Sequence, residues 1–110
     1  MSIDQMDTID FATIDKTTGD LWLTISDHLP WDKNEEKHLA LLQRKLNAYL
    51  RFIESGEVLK QVPATEGRRI VINVIGKFPL SQKAESFFEK ARDIIEGAGF
   101  QLQFRLMNHN

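Results

Sequence analysis

The segment that most constrains the fold is residues 70–75, whose sequence is IVINVI. Every residue in it is aliphatic except Asn73, so both faces of a strand formed here would be apolar. A strand of this kind belongs in the middle of a sheet, where it has neighbours on each side or cover on both faces. Residues 70–75 therefore predict a central strand.

The residues that follow predict a helix and a further strand. Ser81 is a suitable N-cap for a helix over residues 82–96, which Gly97 and Gly99 are expected to end. Residues 100–106 alternate strictly between apolar and polar side chains, which predicts a strand with one buried face. The apolar stripe of the helix consists of Ala84, Phe87, Phe88, Ala91, Ile94, Ile95 and Ala98. A strand–helix–strand unit of this kind is expected to be a right-handed crossover between parallel strands.

The first part of the chain predicts a β-hairpin. Residues 7–14 are rich in Thr, Ile and Phe, and residues 21–26 alternate, so both have the pattern of strands. Residues 15–20 between them are rich in Asp, Thr and Gly, which favours a turn. The alternation directs Leu21 and every second residue after it toward the helices, and it directs Trp22 to the outer face of the sheet.

A long helix is expected over residues 33–54. Asp32 and Glu35 have the spacing of a capping box at its start, and Ser55-Gly56 is a suitable end. The residues expected to face the core are Leu39, Leu42, Leu46, Tyr49, Leu50 and Ile53. Residues 57–69, which contain a proline and a glycine, predict a connector to the central strand.

The predicted elements follow the order β-β-α-β-α-β. Because the last strand has only one apolar face, both helices are expected to lie on the same face of the sheet. The sequence therefore predicts an α+β fold, a two-layer sandwich in which a mixed four-stranded sheet carries two helices on one face. A length of 110 residues fits a single α+β domain over residues 1–110.

Composition excludes several classes of function. The chain has no cysteine, which excludes disulfides, iron–sulfur clusters, thiolate zinc sites and thiol nucleophiles. No apolar run is long enough to span a bilayer, and the first residues carry Asp4, Asp7 and Asp10 where an export signal would be basic. We therefore expect a soluble, cytoplasmic protein with no membrane partner.

The net charge of −2 conceals an asymmetry along the chain. Residues 1–36 hold nine acidic and two basic side chains, a net of −7, and residues 37–110 hold seven acidic and twelve basic ones, a net of +5. The simplest interpretation is that the two parts attract each other within the fold. Arg68 and Arg69 are expected to be solvated or to pair with the acidic hairpin. Nucleic acid is not expected as a partner, because its binding favours an overall basic balance.

Three stretches of the chain resemble a known family. TISDHLPW at 24–31, KLNAYLRFIESGE at 45–57 and EGAGFQLQFRL at 96–106 are similar to a family of small bacterial proteins catalogued as a domain of unknown function. The resemblance covers nearly the whole chain. It implies a bacterial, single-domain protein, and it implies no activity, cofactor or site residue.

The candidate chemical groups do not form a recognisable catalytic pattern. Ser26, Asp27 and His28 have the chemistry of a hydrolase triad, but three consecutive residues do not converge as nucleophile, base and orienting acid. The glycines around Ala98 end a helix and do not begin one, which argues against a phosphate cradle. We predict no catalytic residue and no cofactor, and the chain is not expected to be an enzyme.

A metal site would have to draw on one pool of residues in the 26–38 region. The pool consists of Asp27, His28, Asp32, Glu35 and His38, and its spacing matches no metal-binding motif. His38 lies near the edge of the helix's apolar face, where we expect a half-buried structural histidine. The sequence therefore predicts no metal ligand.

Two apolar surfaces remain as candidates for association. The first is the outer face of the sheet around Trp22, where branched aliphatic side chains of the central strand would lie beside an exposed indole. The second is a side stripe of the first helix formed by Leu41, Ala48 and Phe52. Each surface could instead be covered by other parts of the chain.

Two functional hypotheses follow. The preferred one is a non-enzymatic protein-interaction module whose surface includes Trp22, Leu41 and Phe52 and whose partner is another protein or a second copy in a homodimer. The alternative is a small ligand-binding or enzymatic domain that uses the 26–38 loop. In that case Trp31 would stack on a planar ligand while Asp27 and His28 form hydrogen bonds to it.

Overall fold

The computed structural model describes residues 11–107, and within that range the chain forms four strands, three α-helices and a short 3-10 helix. The strands are β1 (Phe11–Ile14), β2 (Leu21–Asp27), β3 (Ile70–Gly76) and β4 (Gln101–Leu106). The helices are α1 (Glu35–Glu54), α2 (Glu57–Gln61) and α3 (Gln82–Gly97), with the 3-10 helix at Pro63–Thr65. The predicted α+β fold is confirmed, and the predicted connector gains α2 and the 3-10 helix. The predicted strand residues 7–10 lie outside the described range.

The sheet is mixed, and its strands follow one another in the order β1-β2-β3-β4. β1 runs antiparallel to β2, whereas β2, β3 and β4 are mutually parallel, as the predicted hairpin and crossover require. The register aligns Leu23 with Ile72 and Ile72 with Leu102, so one apolar row crosses the inner face. β3 lies between two neighbours, which explains why its sequence is aliphatic on both faces.

The core forms between the inner face of the sheet and the two long helices. Leu21, Leu23 and Ile25 of β2 are fully buried, as the alternation predicts. On the β4 side, Phe88 of α3 packs edge-on against Phe104, with the ring centroids 5.6 Å apart. The helices α1 and α3 therefore cover the same layer of strand side chains.

The start of α1 differs from the prediction. The helix begins at Glu35, and its N-cap is Asn34, which has a φ angle of 52° and makes no side-chain cap hydrogen bond within the described chain. The predicted capping box of Asp32 with Glu35 is therefore wrong. The physical reason is that Asn34 takes the left-handed conformation, which asparagine tolerates better than most residues, and this turn delays the helix beyond Asp32.

The buried face of α1 also differs in composition from the predicted stripe. Leu39 and Leu50 are only half-buried, whereas His38 and Lys45 are buried. The buried residues are His38, Leu42, Lys45, Leu46, Tyr49 and Ile53. The Tyr49 hydroxyl donates to the Thr24 carbonyl oxygen of β2 at 3.1 Å, so this face carries polar as well as apolar contacts with the sheet.

Basic residues before β3 contact the acidic hairpin turn, as the charge asymmetry along the chain suggests. The Arg69 guanidinium lies 3.2 Å from the Asp20 carboxylate, and Arg68 donates to the Gly19 carbonyl oxygen at 2.8 Å. Of the two alternatives expected for these arginines, Arg69 pairs with an acidic side chain of the hairpin turn, whereas within the described chain Arg68 binds only backbone oxygens, and both residues remain exposed. The predicted cap of α3 is confirmed, because Ser81 Oγ accepts the Ala84 N–H at 3.1 Å.

Gly76, the last residue of β3, tests how tightly the end of the sheet packs. A Cβ placed on Gly76 would lie 2.6 Å from the Phe104 ring, so Gly76→Ala must displace that ring. We expect Gly76→Ala to lower the free energy of unfolding in urea by about 1–3 kcal/mol. When Phe104 is replaced by Leu in the same chain, the ring is gone. Gly76→Ala should then lower the free energy of unfolding much less, relative to Phe104→Leu alone, than it does in the wild type.

Gly97→Ala is the matched control. A Cβ on Gly97 meets no atom within 4 Å in the described part of the chain, and alanine favours the helix, so its stability should equal or exceed that of the wild type. A Gly76→Ala variant as stable as the Gly97→Ala variant would contradict the close approach of Phe104 to Gly76.

Candidate functional site

The carboxyl ends of β2 and β3 meet at one edge of the sheet. Asp27 aligns with Gly76 at this edge, and the Lys77 N–H donates to the Asp27 carbonyl oxygen at 2.9 Å. The loop over residues 28–34 leaves β2 here and leads into α1. In sheets with helical crossovers, ligands bind most often outside the carboxyl ends of the parallel strands. This edge is therefore the expected position of a binding site.

A buried polar pair lies at this edge. The Asp27 Oδ2 atom is 2.6 Å from His38 Nε2, and each side chain is 2% exposed. The other carboxylate oxygen, Oδ1, accepts the Leu29 N–H at 3.1 Å. The other ring nitrogen, His38 Nδ1, lies 3.2 Å from the Pro30 carbonyl oxygen. Both carboxylate oxygens and both ring nitrogens therefore have partners in the fold.

The protonation of this pair follows from what each partner can do. The Pro30 carbonyl oxygen can only accept, so His38 Nδ1 must carry a proton and donate it. One further proton then lies between Nε2 and Oδ2, whichever of the two atoms holds it. The pair is neutral overall in either arrangement, which reduces the cost of burying it. Neither ring nitrogen has a lone pair left for a substrate, so the arrangement suits a structural role better than general-base catalysis.

Trp31 completes the cluster. Its ring stacks on the His38 ring with centroids 3.5 Å apart and planes inclined by 13°. Trp31 is buried and belongs to the hydrophobic core. The loop is thus attached to α1 by the Pro30 carbonyl and by the Trp31 ring, and it is attached to the end of β2 by the Leu29 N–H. These contacts hold the 28–34 loop in one conformation.

Two clefts flank this loop. The larger, which we call the Lys33 cleft, has a volume of about 450 Å³ and is lined by Leu29, Pro30, Lys33, Asn34, Lys37, His38 and Leu41. The second, which we call the Phe78 cleft, has a volume of about 370 Å³ and is lined by Pro30, Trp31, Asp32, Phe78, Pro79 and Ser81. Pro30 lines both clefts, so the ordered loop shapes the two of them.

The structure places the three residues of the predicted ligand loop in different environments. Asp27 and Trp31 come together, but each contacts His38 and each is withdrawn from solvent. His28 is exposed. The Trp31 ring already stacks on an imidazole, and Trp31 is also a lining residue of the Phe78 cleft.

The three residues of the predicted interaction surface lie apart. Trp22 is on the outer face of the sheet, half-buried, and its indole N–H is buried without a hydrogen-bond partner among the described residues. Val71 and Asn73 on the same face of β3 are buried. Leu41 and Phe52 of α1 are half-buried and pack against the core. Leu41 also lines the Lys33 cleft.

The sequence places His38 and Asp27 in one pool of possible metal ligands and otherwise predicts a half-buried structural histidine, but it does not predict the hydrogen bond between the two. The one available signal is that His38 precedes Leu42 by one helical turn and so extends the buried stripe of α1. The sequence also gives no indication that Lys45 is fully buried, with its Nζ 5.6 Å from the Tyr49 ring centroid. An isolated lysine in an apolar stripe gives no sequence signal of burial.

Residues 11–107 contain no group of three or more His, Asp or Glu side chains that could hold a metal ion. Over the same residues, no helix is long and apolar enough to cross a membrane.

The model of a family described as "Family of unknown function (DUF6572)" matches residues 1–108. The chain therefore belongs to this family, as the resemblance of its sequence indicates. Comparison with the curated proteins and comparison with the solved structures each gave no match.

The buried pair makes a quantitative prediction. His38→Ala leaves the Asp27 carboxylate buried without its partner, so we expect the free energy of unfolding in urea to fall by about 3–5 kcal/mol. Asp27→Ala should cost a similar amount, and the double variant should cost clearly less than the sum of the two.

His28→Ala is the control, because His28 is exposed and one residue from Asp27. It should change stability by no more than about 0.5 kcal/mol. Equal stabilities for the His28 and His38 variants, or strictly additive effects of the Asp27 and His38 substitutions, would contradict the pairing.

Proposed function

We propose that this protein is a non-enzymatic protein-interaction module and that its partner is a second copy of the same chain. The observation that supports this most is Ile94 of α3, which is 66% exposed. A large aliphatic side chain in water is unremarkable alone, but it becomes informative when it borders a contiguous apolar surface.

Ile94 borders such a surface, a groove between α1 and α3. The groove has a volume of about 100 Å³ and is lined by Gln43, Leu46, Asn47, Leu50, Phe87, Ala91, Ile94 and Ile95. Leu50, Phe87 and Ala91 are each half-buried, so they retain apolar area that a partner can cover. The groove lies on the helical layer, away from the strands.

A second copy fits this groove for a reason of symmetry. In a twofold dimer the same patch meets itself, so a protruding residue and a receiving groove must lie side by side on one surface. Ile94 and the groove between α1 and α3 meet this requirement, because Ile94 itself belongs to the groove's wall. The polar residues Gln43 and Asn47 at the same groove would supply hydrogen bonds at the border of the interface.

The non-enzymatic part of the proposal is supported by the buried pair. Asp27 and His38 are the buried acid and base of the carboxyl-end edge, and each uses its polar atoms within the fold. A catalytic dyad needs a ring nitrogen that faces the substrate.

Ile94→Asp tests the proposed interface. Light scattering after size-exclusion chromatography should give the mass of a dimer for the wild type. Ile94→Asp should weaken the dimer about tenfold or more, because burying an isoleucine contributes about 1.5–3 kcal/mol.

Leu59→Asp is the matched control, since Leu59 is also exposed, at 45%, but lies on α2. It should leave the mass unchanged. A wild type that stays monomeric at the highest soluble concentration would overturn the self-association proposal, as would equal weakening by the two substitutions.

The second candidate function is a small ligand-binding domain that uses the 26–38 loop. The specific observation in its favour is the Lys33 cleft of about 450 Å³, which lies at this loop and within the usual size range of ligand pockets. NMR titration with a panel of metal ions and metabolites should then shift the amide signals of Leu29, Asn34 and Leu41. If no compound in the panel shifts these signals, this candidate is removed.

A bacterial source and a cytoplasmic location remain part of the proposal. The first is supported by the resemblance of the sequence to small bacterial proteins, and the second by the cysteine-free composition. Membranes and nucleic acids are not proposed as partners, the latter because the net charge is −2 and Arg68 and Arg69 are engaged with the hairpin turn.

A further inference from the structure

We infer that the Lys33 cleft binds a small organic anion, a carboxylate attached to an apolar body. This inference rests on the second candidate function, that of a ligand-binding domain, and it specifies the class of ligand.

The wall of the cleft has two chemical parts. Leu29, Pro30 and Leu41 supply apolar surface, and all three are half-buried, so they can contact a ligand as well as the core. Lys33 and Lys37 also line the cleft. The lining surface is almost wholly apolar, so their methylene groups form part of the wall, and their exposed ammonium groups supply positive charge at its mouth. Within residues 11–107, no acidic side chain belongs to the lining of this cleft. An apolar wall beside two ammonium groups complements a ligand that is apolar at one end and anionic at the other.

Lys33 and Lys37 differ from Lys60 and Lys83 in their pairing. Lys83 lies 3.5 Å from the Glu36 carboxylate, and Lys60 lies 3.8 Å from the Glu57 carboxylate. In the described chain Lys33 and Lys37 have no such ion pair. Their ammonium groups can therefore turn toward a ligand without losing a bond within the described residues.

The floor of the cleft is fixed before any ligand arrives. His38 belongs to the lining, yet its ring is held by Asp27, Pro30 and Trp31. Its two nitrogens have partners within the fold, so the imidazole offers the cleft no free donor or acceptor. A ligand would consequently be recognised by apolar contact with the floor and by charge at the two lysines.

The neighbouring Phe78 cleft provides an internal comparison. It is similar in volume and also contains apolar and aromatic surface, but its charged lining residue is Asp32. A carboxylate is disfavoured beside Asp32 and favoured beside Lys33 and Lys37. The preference for an anion is thus assigned to one cleft and not to the whole edge of the sheet.

Three probes with the same apolar body separate charge from hydrophobicity. Phenylacetate carries the carboxylate, phenylacetamide is its neutral counterpart, and phenethylammonium carries the opposite charge. In NMR titrations of the full chain, phenylacetate should bind most tightly, and it should shift the amide signals of Leu29, Asn34 and Leu41.

Charge-removing variants test the two lysines directly. Lys33→Gln and Lys37→Gln should each weaken phenylacetate binding about two- to fivefold, and together about tenfold, while leaving phenylacetamide binding unchanged. Lys90→Gln on α3 is the control, since Lys90 is exposed and lies outside the cleft lining. It should leave all three titrations unchanged.

The possible failures are distinct. If the three probes shift the cleft signals with equal affinity, or if the lysine variants bind phenylacetate as the wild type does, the charge inference is overturned and the ligand-binding candidate survives. If no probe shifts the cleft signals, the inference is overturned, and the panel of metal ions and metabolites then decides the ligand-binding candidate. Shifts at Trp31 and Phe78 alone would assign the anion to the Phe78 cleft and would also overturn it.

Discussion

A hydrogen bond of 2.6 Å between the Asp27 carboxylate and the His38 ring joins the end of β2 to the start of α1. Both groups are buried, so each depends on the other for a polar partner. The ring's second nitrogen binds the Pro30 carbonyl, and its face supports Trp31. The imidazole of His38 therefore connects α1 to the strand end and to the loop at the same time. The path of the loop at this edge of the sheet depends on these contacts.

The hydrogen bond between Asp27 and His38 affects both the orientation of α1 and the path of the 28–34 loop. To bring His38 over Asp27, α1 must present a face that includes His38 and Lys45, and Leu39 is consequently left half-buried. The 28–34 loop must follow a fixed path, which separates the Lys33 cleft from the Phe78 cleft at Pro30. The proposed self-association groove is on the helical layer between α1 and α3, so dimer formation and ligand binding would use different surfaces.

Local sequence patterns predicted those parts of the fold that local interactions determine. The unit β3–α3–β4 was predicted to within a residue, because Ser81 caps the helix and the apolar spacing of each element is unambiguous. The start of α1 was not predicted correctly, because it depends on the left-handed turn at Asn34. The position of that turn depends on the path of the loop, which is set by contacts between residues far apart in the sequence. The short helix α2 was missed as well. It is five residues long and buries Val58, which is too little periodic pattern to recognise.

The candidate site was predictable only in part for a similar reason. Asp27 and Trp31 stand out because one is an acid at the end of β2 and the other is an aromatic residue in the loop that follows. Their common partner is His38, eleven residues beyond Asp27, and no spacing rule connects a strand end to a helix through a loop of this length. The adjacent His28 has the same chemistry but follows the strand on the exposed side. The two histidines differ in whether the side chain faces the core or the solvent, and that depends on the tertiary fold.

The 28–34 loop and the start of α1 depend on His38 being held at both ring nitrogens, and hydrogen exchange of the ring measures this most directly. Nitrogen-15 NMR of the histidine side chains resolves the ring N–H protons of His38 from those of His28. The structure predicts that the Nδ1 proton of His38 is observable and exchanges with water far more slowly than any ring proton of His28, because it is buried and bonded to Pro30. A His38 ring proton that exchanges as fast as those of His28 would contradict the central role of the Asp27–His38 pair.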